Sequence, residues 1–145
     1  MKVSEIMTPS PEVIRPDATL QEAAETMRQL DVGPLPVCGP DGKLAGMITD
    51  RDITVRSTAE GRDPFTTLVR DVMTTGDVLY VFEDQDVEEA GRLMEQNQVR
   101  RLAVLDRDHN LCGILSLGDI ALSGADEDVS ANALEQISEP GNPTR

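Results

Sequence analysis

Gly46-Met47-Ile48-Thr49-Asp50-Arg51-Asp52-Ile53 and Gly113-Ile114-Leu115-Ser116-Leu117-Gly118-Asp119-Ile120 are the two stretches on which the fold turns. Both reduce to Gly, two apolar residues, a hydroxyl residue, two variable residues, Asp and Ile. Gly46 and Gly113 lie 67 positions apart, and the same spacing aligns much else. It pairs Ala23 with Ala90, Met27 with Met94, Val32 with Val99, Leu35 with Leu102, Val37 with Val104 and Leu44 with Leu111. Near the start of each copy the spacing drops to 66, where Met7-Thr8 meets Met73-Thr74. One residue added to the second copy between Thr75 and Asp86 accounts for the change. So many matches with one gap mark an internal duplication.

Each copy predicts the order β-α-β-β-α. A short segment, Val3–Met7 or Val69–Met73, leads into a brief strand around Val13–Ile14 or Tyr80–Phe82. A helix follows, Thr19–Leu30 or Asp86–Asn97. Thr19 with Glu22, and Asp86 with Glu89, have the spacing of a capping box. Leu20, Ala23, Ala24 and Met27 fall on one face of the first helix; Val87, Ala90, Leu93 and Met94 do so in the second. Next comes a hairpin: Leu35–Cys38 and Leu44–Thr49 around Pro40-Asp41-Gly42, then Leu102–Leu105 and Leu111–Ser116 around Asp106 to Asn110. A last helix closes each copy, Asp50–Ala59 or Leu117–Ser123.

The chain therefore divides into a first repeat at 1–59, a linker at 60–68, a second repeat at 69–123 and an acidic tail at 124–145. One helical stretch, Ser130–Ile137, is expected in the tail. A unit of roughly 60 residues is marginal alone because it buries only about 60% of its unfolded surface. The expected fold is therefore α/β (α+β), with the two repeats packed sheet to sheet about a pseudo-twofold axis and two clefts between them.

Composition narrows the function. The hydrophobic fraction of 39% supports a packed core, and with 2% aromatics that core is aliphatic. A formal charge of −14 opposes nucleic acid and anionic membrane surfaces. No apolar run approaches the roughly 20 residues of a membrane span. Cys38 and Cys112 follow no metal spacing, and a cytoplasmic setting with reduced thiols is expected.

The repeated stretch carries the chemistry. The hydroxyl residue stands at a strand-to-helix junction and the Asp in the first helical turn. Thr49 with Asp52, and Ser116 with Asp119, can therefore face the same way. A carboxylate accepts from both hydroxyls of a ribose cis-diol, and the alcohol can donate or accept beside it. Gly46 leaves room for a ligand or a strand to come close. A second reading uses the same residues as helix caps, with Thr49 and Ser116 at the N-cap and Asp52 and Asp119 bonding back. Arg51, Arg56, Arg100 and Arg101 are the candidate phosphate ligands. Pairing with some of the 27 acidic residues is the alternative for each.

With Met7-Thr8-Pro9, Val32-Gly33-Pro34-Leu35-Pro36-Val37, Val99-Arg100-Arg101-Leu102-Ala103-Val104 and the two quoted stretches in view, residues 1 to about 123 resemble the CBS domain family. A tandem of two such domains is a Bateman module, here of the stand-alone bacterial or archaeal type. The resemblance implies a non-catalytic regulatory module that binds AMP, ADP, ATP or S-adenosylmethionine between repeats, as an energy or stress sensor. It assigns the ribose to Thr49, Asp52, Ser116 and Asp119. It maps the adenine pocket loosely to Thr8, Val13, Pro36, Ile48, Thr74, Ala103 and Leu115. A basic residue often stands where Arg100 does; the first copy has Gly33 there, so the two sites should differ. The resemblance also implies a homodimer. The alternative is a structural dimerisation module with vestigial ligand sites.

Other motifs fall away. Asp106-Arg107-Asp108-His109-Asn110 opens like a calcium loop, but Leu111 stands at the sixth position and Leu117 at the twelfth. Gly42-Lys43 is followed by Leu44, which excludes a phosphate loop. His109 reads as solitary and exposed. Met7, Met27, Met73 and Met94 occupy repeated positions and read as core rather than metal ligands. Cys38 and Cys112 read as buried thiols, with a redox role for Cys38 as a lesser alternative. One His and no nucleophile-base pair leave no catalytic site.

Overall fold

In the computed structural model, residues 1–76 and 78–124 are described. The elements are β1 (Thr8–Pro9), α1 (Leu20–Leu30), β2 (Pro34–Cys38), β3 (Leu44–Thr49), α2 (Asp50–Arg56), α3 (Val69–Val72), β4 (Tyr80–Phe82), α4 (Val87–Asn97), β5 (Arg101–Leu105), β6 (Leu111–Ser116) and α5 (Leu117–Ser123). Short 3-10 turns cover Val3–Glu5 and Thr58–Glu60. The expected helix at Asp50–Ala59 is thus shorter: it stops at Arg56, and the chain re-forms a tighter turn after the buried Ser57. The expected strand at Val13–Ile14 is a single bridge from Ile14 to Val37. The expected helix at Ser130–Ile137 lies outside the described residues.

The chain forms two compact units, and they do not coincide with the sequence repeats. Among the described residues, one combines Met1–Pro11 with 79–124; the other is Glu12–Val78. In the first, four strands run in the order β1-β6-β5-β4, with only β4 and β5 parallel. In the second, β2 and β3 form an antiparallel pair. Its outer positions are single bridges, Met47 to Thr74 and Ile14 to Val37.

These contacts are equivalent. Thr8 opposes Ile114 as Thr74 opposes Met47. Val81 opposes Val104 as Ile14 opposes Val37. The added residue of the second copy therefore lies between Thr74 and Val81. Each lead segment serves the helix of the other repeat. Met1 carbonyl accepts from Val87 N at 3.0 Å, and Thr67 carbonyl accepts from Leu20 N at 3.0 Å. Both are first-turn amides, which have no partner inside their own helix.

The two helix starts nevertheless differ in their side-chain caps. Thr19 forms the full box, its hydroxyl accepting from Glu22 N and Glu22 Oε2 accepting from Thr19 N. Asp86 makes no side-chain cap. Glu89 instead accepts from Gln85 Nε2 at 2.8 Å.

The cores repeat as the spacing requires. The Glu12–Val78 unit buries Leu20, Ala23, Met27, Leu35, Val37, Ile48, Val69 and Val72 together. The other unit buries Val87, Ala90, Met94, Leu102, Val104, Leu115, Val3, Val81, Leu117 and Ile120. Ala24, expected on the buried face of α1, is exposed. Met27 and Met94 sit in the cores, while Met7 and Met73 are half-buried at their margins.

Gly46 and Gly113 belong to this packing. A Cβ on Gly46 would stand 2.5 Å from the Thr74 carbonyl, and one on Gly113 would strike Met7 Sδ. The space that these glycines leave is taken by the lead segment of the other repeat.

Candidate functional site

Side chains along a strand alternate between faces, and directly paired residues share a face. In the unit containing β6, one face is the core face of Leu102, Val104 and Leu115. The opposite face carries Thr8, Tyr80, Ala103, Ile114, Arg101 and Ser116, all in cross-strand register. In the Glu12–Val78 unit, Leu35, Val37 and Ile48 turn to the core. Pro34, Pro36, Met47, Thr49 and Thr74 occupy the opposite face by the same pairing. Val13, next to the Ile14 bridge residue, is 41% exposed.

Most residues expected at an adenine pocket are therefore brought to one side of their own unit. Thr8 and Ala103 share a face in one unit; Pro36 and Thr74 do so in the other. Ile48 and Leu115 are the correction. Both are 0% exposed and turned into the hydrophobic cores, so neither can touch a ligand on the opposite face. Their neighbours Met47 and Ile114 are half-buried and lie on the opposite face. Tyr80, not among the expected residues, lies on the same face as Ala103. It is 40% exposed and pairs with Ala103. Alternation alone could not choose, because Met47 and Ile48 are both apolar.

The opposite face of each hairpin ends at a strand-to-helix junction. There Thr49 Oγ1 accepts from Asp52 N at 3.0 Å and Asp52 Oδ2 accepts from Thr49 N at 3.0 Å. Ser116 Oγ accepts from Asp119 N at 3.0 Å and Asp119 Oδ2 accepts from Ser116 N at 2.8 Å. Both pairs are thus capping boxes, as the structural alternative required. This leaves binding chemistry possible, since each carboxylate uses one oxygen for the cap and a carboxylate has about four acceptor sites. Asp52 Oδ1 has a neighbour, Arg56 Nε at 3.8 Å. Among the described residues, no such partner stands at Asp119 Oδ1.

The candidate arginines separate. Arg56 also donates to Val72 carbonyl at 3.2 Å, so it is held within its own unit. Arg51 is exposed on α2 and Arg100 is exposed just before β5. The Arg100 carbonyl accepts from Leu117 N, as the Gly33 carbonyl accepts from Asp50 N. Arg101 is exposed and directly opposite Ser116.

Elsewhere the chemistry is quiet. Burial, then Asp41, raises the Cys38 thiol. Burial, then the hydrogen bond to Glu83, pushes Cys112 up to about 12. Neither thiol ionises readily, which removes the motive for a redox role at Cys38. His109 is exposed but not solitary. Its ring lies edge-on to Phe82 and Tyr80, and Arg107 lies 4.2 Å from the Phe82 centroid. A shallow depression of 330 Å³ on α4, lined by Arg92, Glu95, Gln96 and Gln98, contains no expected site residue. Among the described residues, no three His, Cys, Asp or Glu side chains form a metal-binding group. No helix there is long and apolar enough to cross a membrane.

Comparison with known proteins follows this geometry. The family model for the CBS domain matches residues 3–57 and 69–125. The chain is 42% identical over 136 residues to CBS domain-containing protein YhcV of Bacillus subtilis, covering 94% of each. A crystal structure of Hypoxic Response Protein I with two coordinated zinc ions is 37% identical, with a TM-score of 0.76, over 84% of this chain and 98% of that one. A crystal structure of CBSX2 in complex with AMP is 30% identical, with a TM-score of 0.73, over 84% of this chain and 94% of that one.

Proposed function

This chain belongs to the CBS domain family, and from that premise we propose that it is a non-catalytic regulatory module binding an adenosine compound at its strand-to-helix junctions. The ligand class is AMP, ADP, ATP or S-adenosylmethionine. Thr49 with Asp52 and Ser116 with Asp119 hold the ribose. The sheet face beside each junction receives the base. The reading includes a homodimer, a cytoplasmic setting and a partner that responds to the bound state.

One observation carries it. In each unit a hydroxyl and a carboxylate stand at the end of a non-core sheet face lined with small or apolar residues, in register. A nucleoside needs that combination: acceptors for a cis-diol beside a surface for a flat ring. The AMP held by the related CBSX2 gives the ligand class independent support.

Asp119→Asn tests the reading while keeping an acceptor for the cap. A charge-assisted hydrogen bond contributes about 1.5–3 kcal/mol. Calorimetry should therefore show AMP affinity falling by roughly tenfold or more, with the melting temperature little changed. Unchanged affinity would overturn the assignment.

The capping boxes favour one other reading, in which the four residues serve the helices alone and the module is purely structural. A thermal-shift series with AMP, ADP, ATP and S-adenosylmethionine separates the two. Stabilisation by any supports ligand binding; stabilisation by none at millimolar levels selects the structural role.

A further inference from the structure

The repeated methionines fall into two kinds. Met27 and Met94 lie in the two cores, 7% and 0% exposed. Met7 and Met73 are only half-buried. Each directly precedes the threonine that joins its lead segment to a hairpin, Thr8 to Ile114 and Thr74 to Met47.

Each of these two thioethers lies in the space left by a glycine. A Cβ on Gly113 would strike Met7 Sδ, and one on Gly46 would stand 3.2 Å from Met73 Sδ. Met7 also packs at the margin of the core that includes Val3 and Leu115, and Met73 at that of Leu20 and Ile48. Amides flanking these contacts are already paired. Thr74 N donates to the Met47 carbonyl at 2.8 Å, Met47 N to the Thr74 carbonyl at 3.0 Å, and Ser10 N to the Cys112 carbonyl at 3.1 Å. An oxygen on either sulfur would set a polar group against a backbone wall whose neighbouring donors are taken. A buried polar group without a partner opposes the packed state.

We propose that Met7 and Met73 are twin sites of reversible oxidation, and that a sulfoxide at either breaks the short strand contact beside it. A peroxide supplies the oxygen. The sulfur lone pair attacks one peroxide oxygen, the S–O bond forms as the O–O bond breaks, and the departing hydroxide takes the proton left on that oxygen and becomes water. Sulfur is oxidised and the peroxide reduced. A thiol-dependent reductase reverses the step: two thiols become a disulfide and the oxygen leaves as water. The contacts at risk are slight, the two residues Thr8–Pro9 on β6 and the single Thr74 bridge on β3. Thr8 and Thr74 stand on the faces assigned to the base, so oxidation also weakens nucleotide binding. That consequence rests on the adenosine reading; the oxidation and the broken contacts do not.

The test treats the whole chain with hydrogen peroxide and follows each methionine by mass spectrometry of its peptides. Met7 and Met73 should oxidise well before Met27 and Met94. Hydrogen exchange at the Ile114 and Met47 amides should then quicken by about tenfold or more, the scale of one polar group left unpaired. Exchange at Leu35 and Leu102 should hold. Methionine sulfoxide reductase with dithiothreitol should restore protection. Met7→Leu combined with Met73→Leu keeps the volume without the sulfur, and this variant should keep its protection through peroxide treatment. The same loss of protection in that variant would overturn the assignment. So would oxidation of Met7 and Met73 no faster than Met27 and Met94, or oxidation with protection unchanged. The readings on the unaltered chain decide the matter without the variant, and none of them uses a nucleotide. AMP affinity unchanged by oxidation would overturn the link to binding alone. A chain that binds no AMP before oxidation would overturn the adenosine reading and leave the methionine sites standing.

Discussion

Gly46 shows what a single missing side chain does. Its Cα faces the Thr74 carbonyl, a backbone atom that cannot swing aside. Gly113 faces mainly Met7 Sδ, the far part of a flexible side chain. Gly46→Ala should therefore destabilise by about 1–3 kcal/mol, the usual range for overpacking. Gly113→Ala should cost less. Urea denaturation of the two variants checks the order; equal costs would contradict it.

The thiols provide a second residue-scale expectation. Burial first and neighbouring acids second hold both above the ordinary thiol range. The unfolded chain ionises them near 8.5, while folded Cys112 stays protonated up to about 12. The unfolded state then binds fewer protons, so stability falls as pH rises through that window. Below it the thiols contribute no pH dependence. At pH 8 a thiol reagent should react slowly with the folded chain and rapidly in denaturant. Fast reaction of Cys38 in the folded state would contradict this.

At this scale the sequence revealed which residue types meet but not always which way they turn. Thr49, Asp52, Ser116 and Asp119 were identifiable because a motif written twice stands out. Ile48 and Leu115 were misplaced because their neighbours are apolar too. Only the pairing of β3 and β6 decides which of two apolar residues faces the core.

Among the elements, the helix starts are the informative contrast. Thr19 caps α1 with its own hydroxyl. Asp86 has the same sequence spacing to an acidic residue yet makes no side-chain cap. Both helices take a carbonyl from the other lead segment at their first amide, and at α4 Gln85 occupies Glu89. Thr19→Ala should therefore cost about 1 kcal/mol. Asp86→Ala should stay within about 0.5 kcal/mol of the parent, as surface changes outside such features do. Chemical denaturation reads both. An equal loss in the two variants would restore Asp86 as a cap.

The Asp86 spacing misled because the box pattern reads two positions and not the residue before them. At α4 the acidic residue of the box, Glu89, is taken instead by its neighbour Gln85. The helices themselves were readable from their apolar periodicity, and the hairpins from turn residues such as Asp41-Gly42. The early end of α2 at Arg56 was not, since Ser57 carries no breaker signal and is buried in the structure.

For the whole molecule, the notable feature is that each lead segment serves the other repeat. Val3 packs with Val87 and Leu115, as Val69 packs with Leu20 and Ile48. The 12–78 unit is continuous in sequence, whereas the other unit is assembled from both sides of it. Removing residues 1–11 should therefore expose β6 and the start of α4. Hydrogen exchange at Ile114 and Val87 should accelerate while that at Leu35 and Ile48 stays protected. Uniform loss of protection would show that the units do not fold separately.

The duplication and the β-α-β-β-α order could be read directly from the spacing of 67. The exchange of lead segments could not, because a two-residue strand such as Thr8–Pro9 has no period to detect. The glycine and Met-Thr matches were its trace, visible only once the pairing is known.

The central claim is that ligand binding occurs at the hydroxyl-carboxylate junctions. Backbone amide NMR of the whole chain titrated with AMP tests it most directly. The expected result is that the largest shifts fall on Arg101, Ser116 and Asp119, with smaller ones at Thr49 and Asp52. Shifts confined to Arg92, Glu95, Gln96 and Gln98 at the end of α4, or no shifts at all, would contradict it.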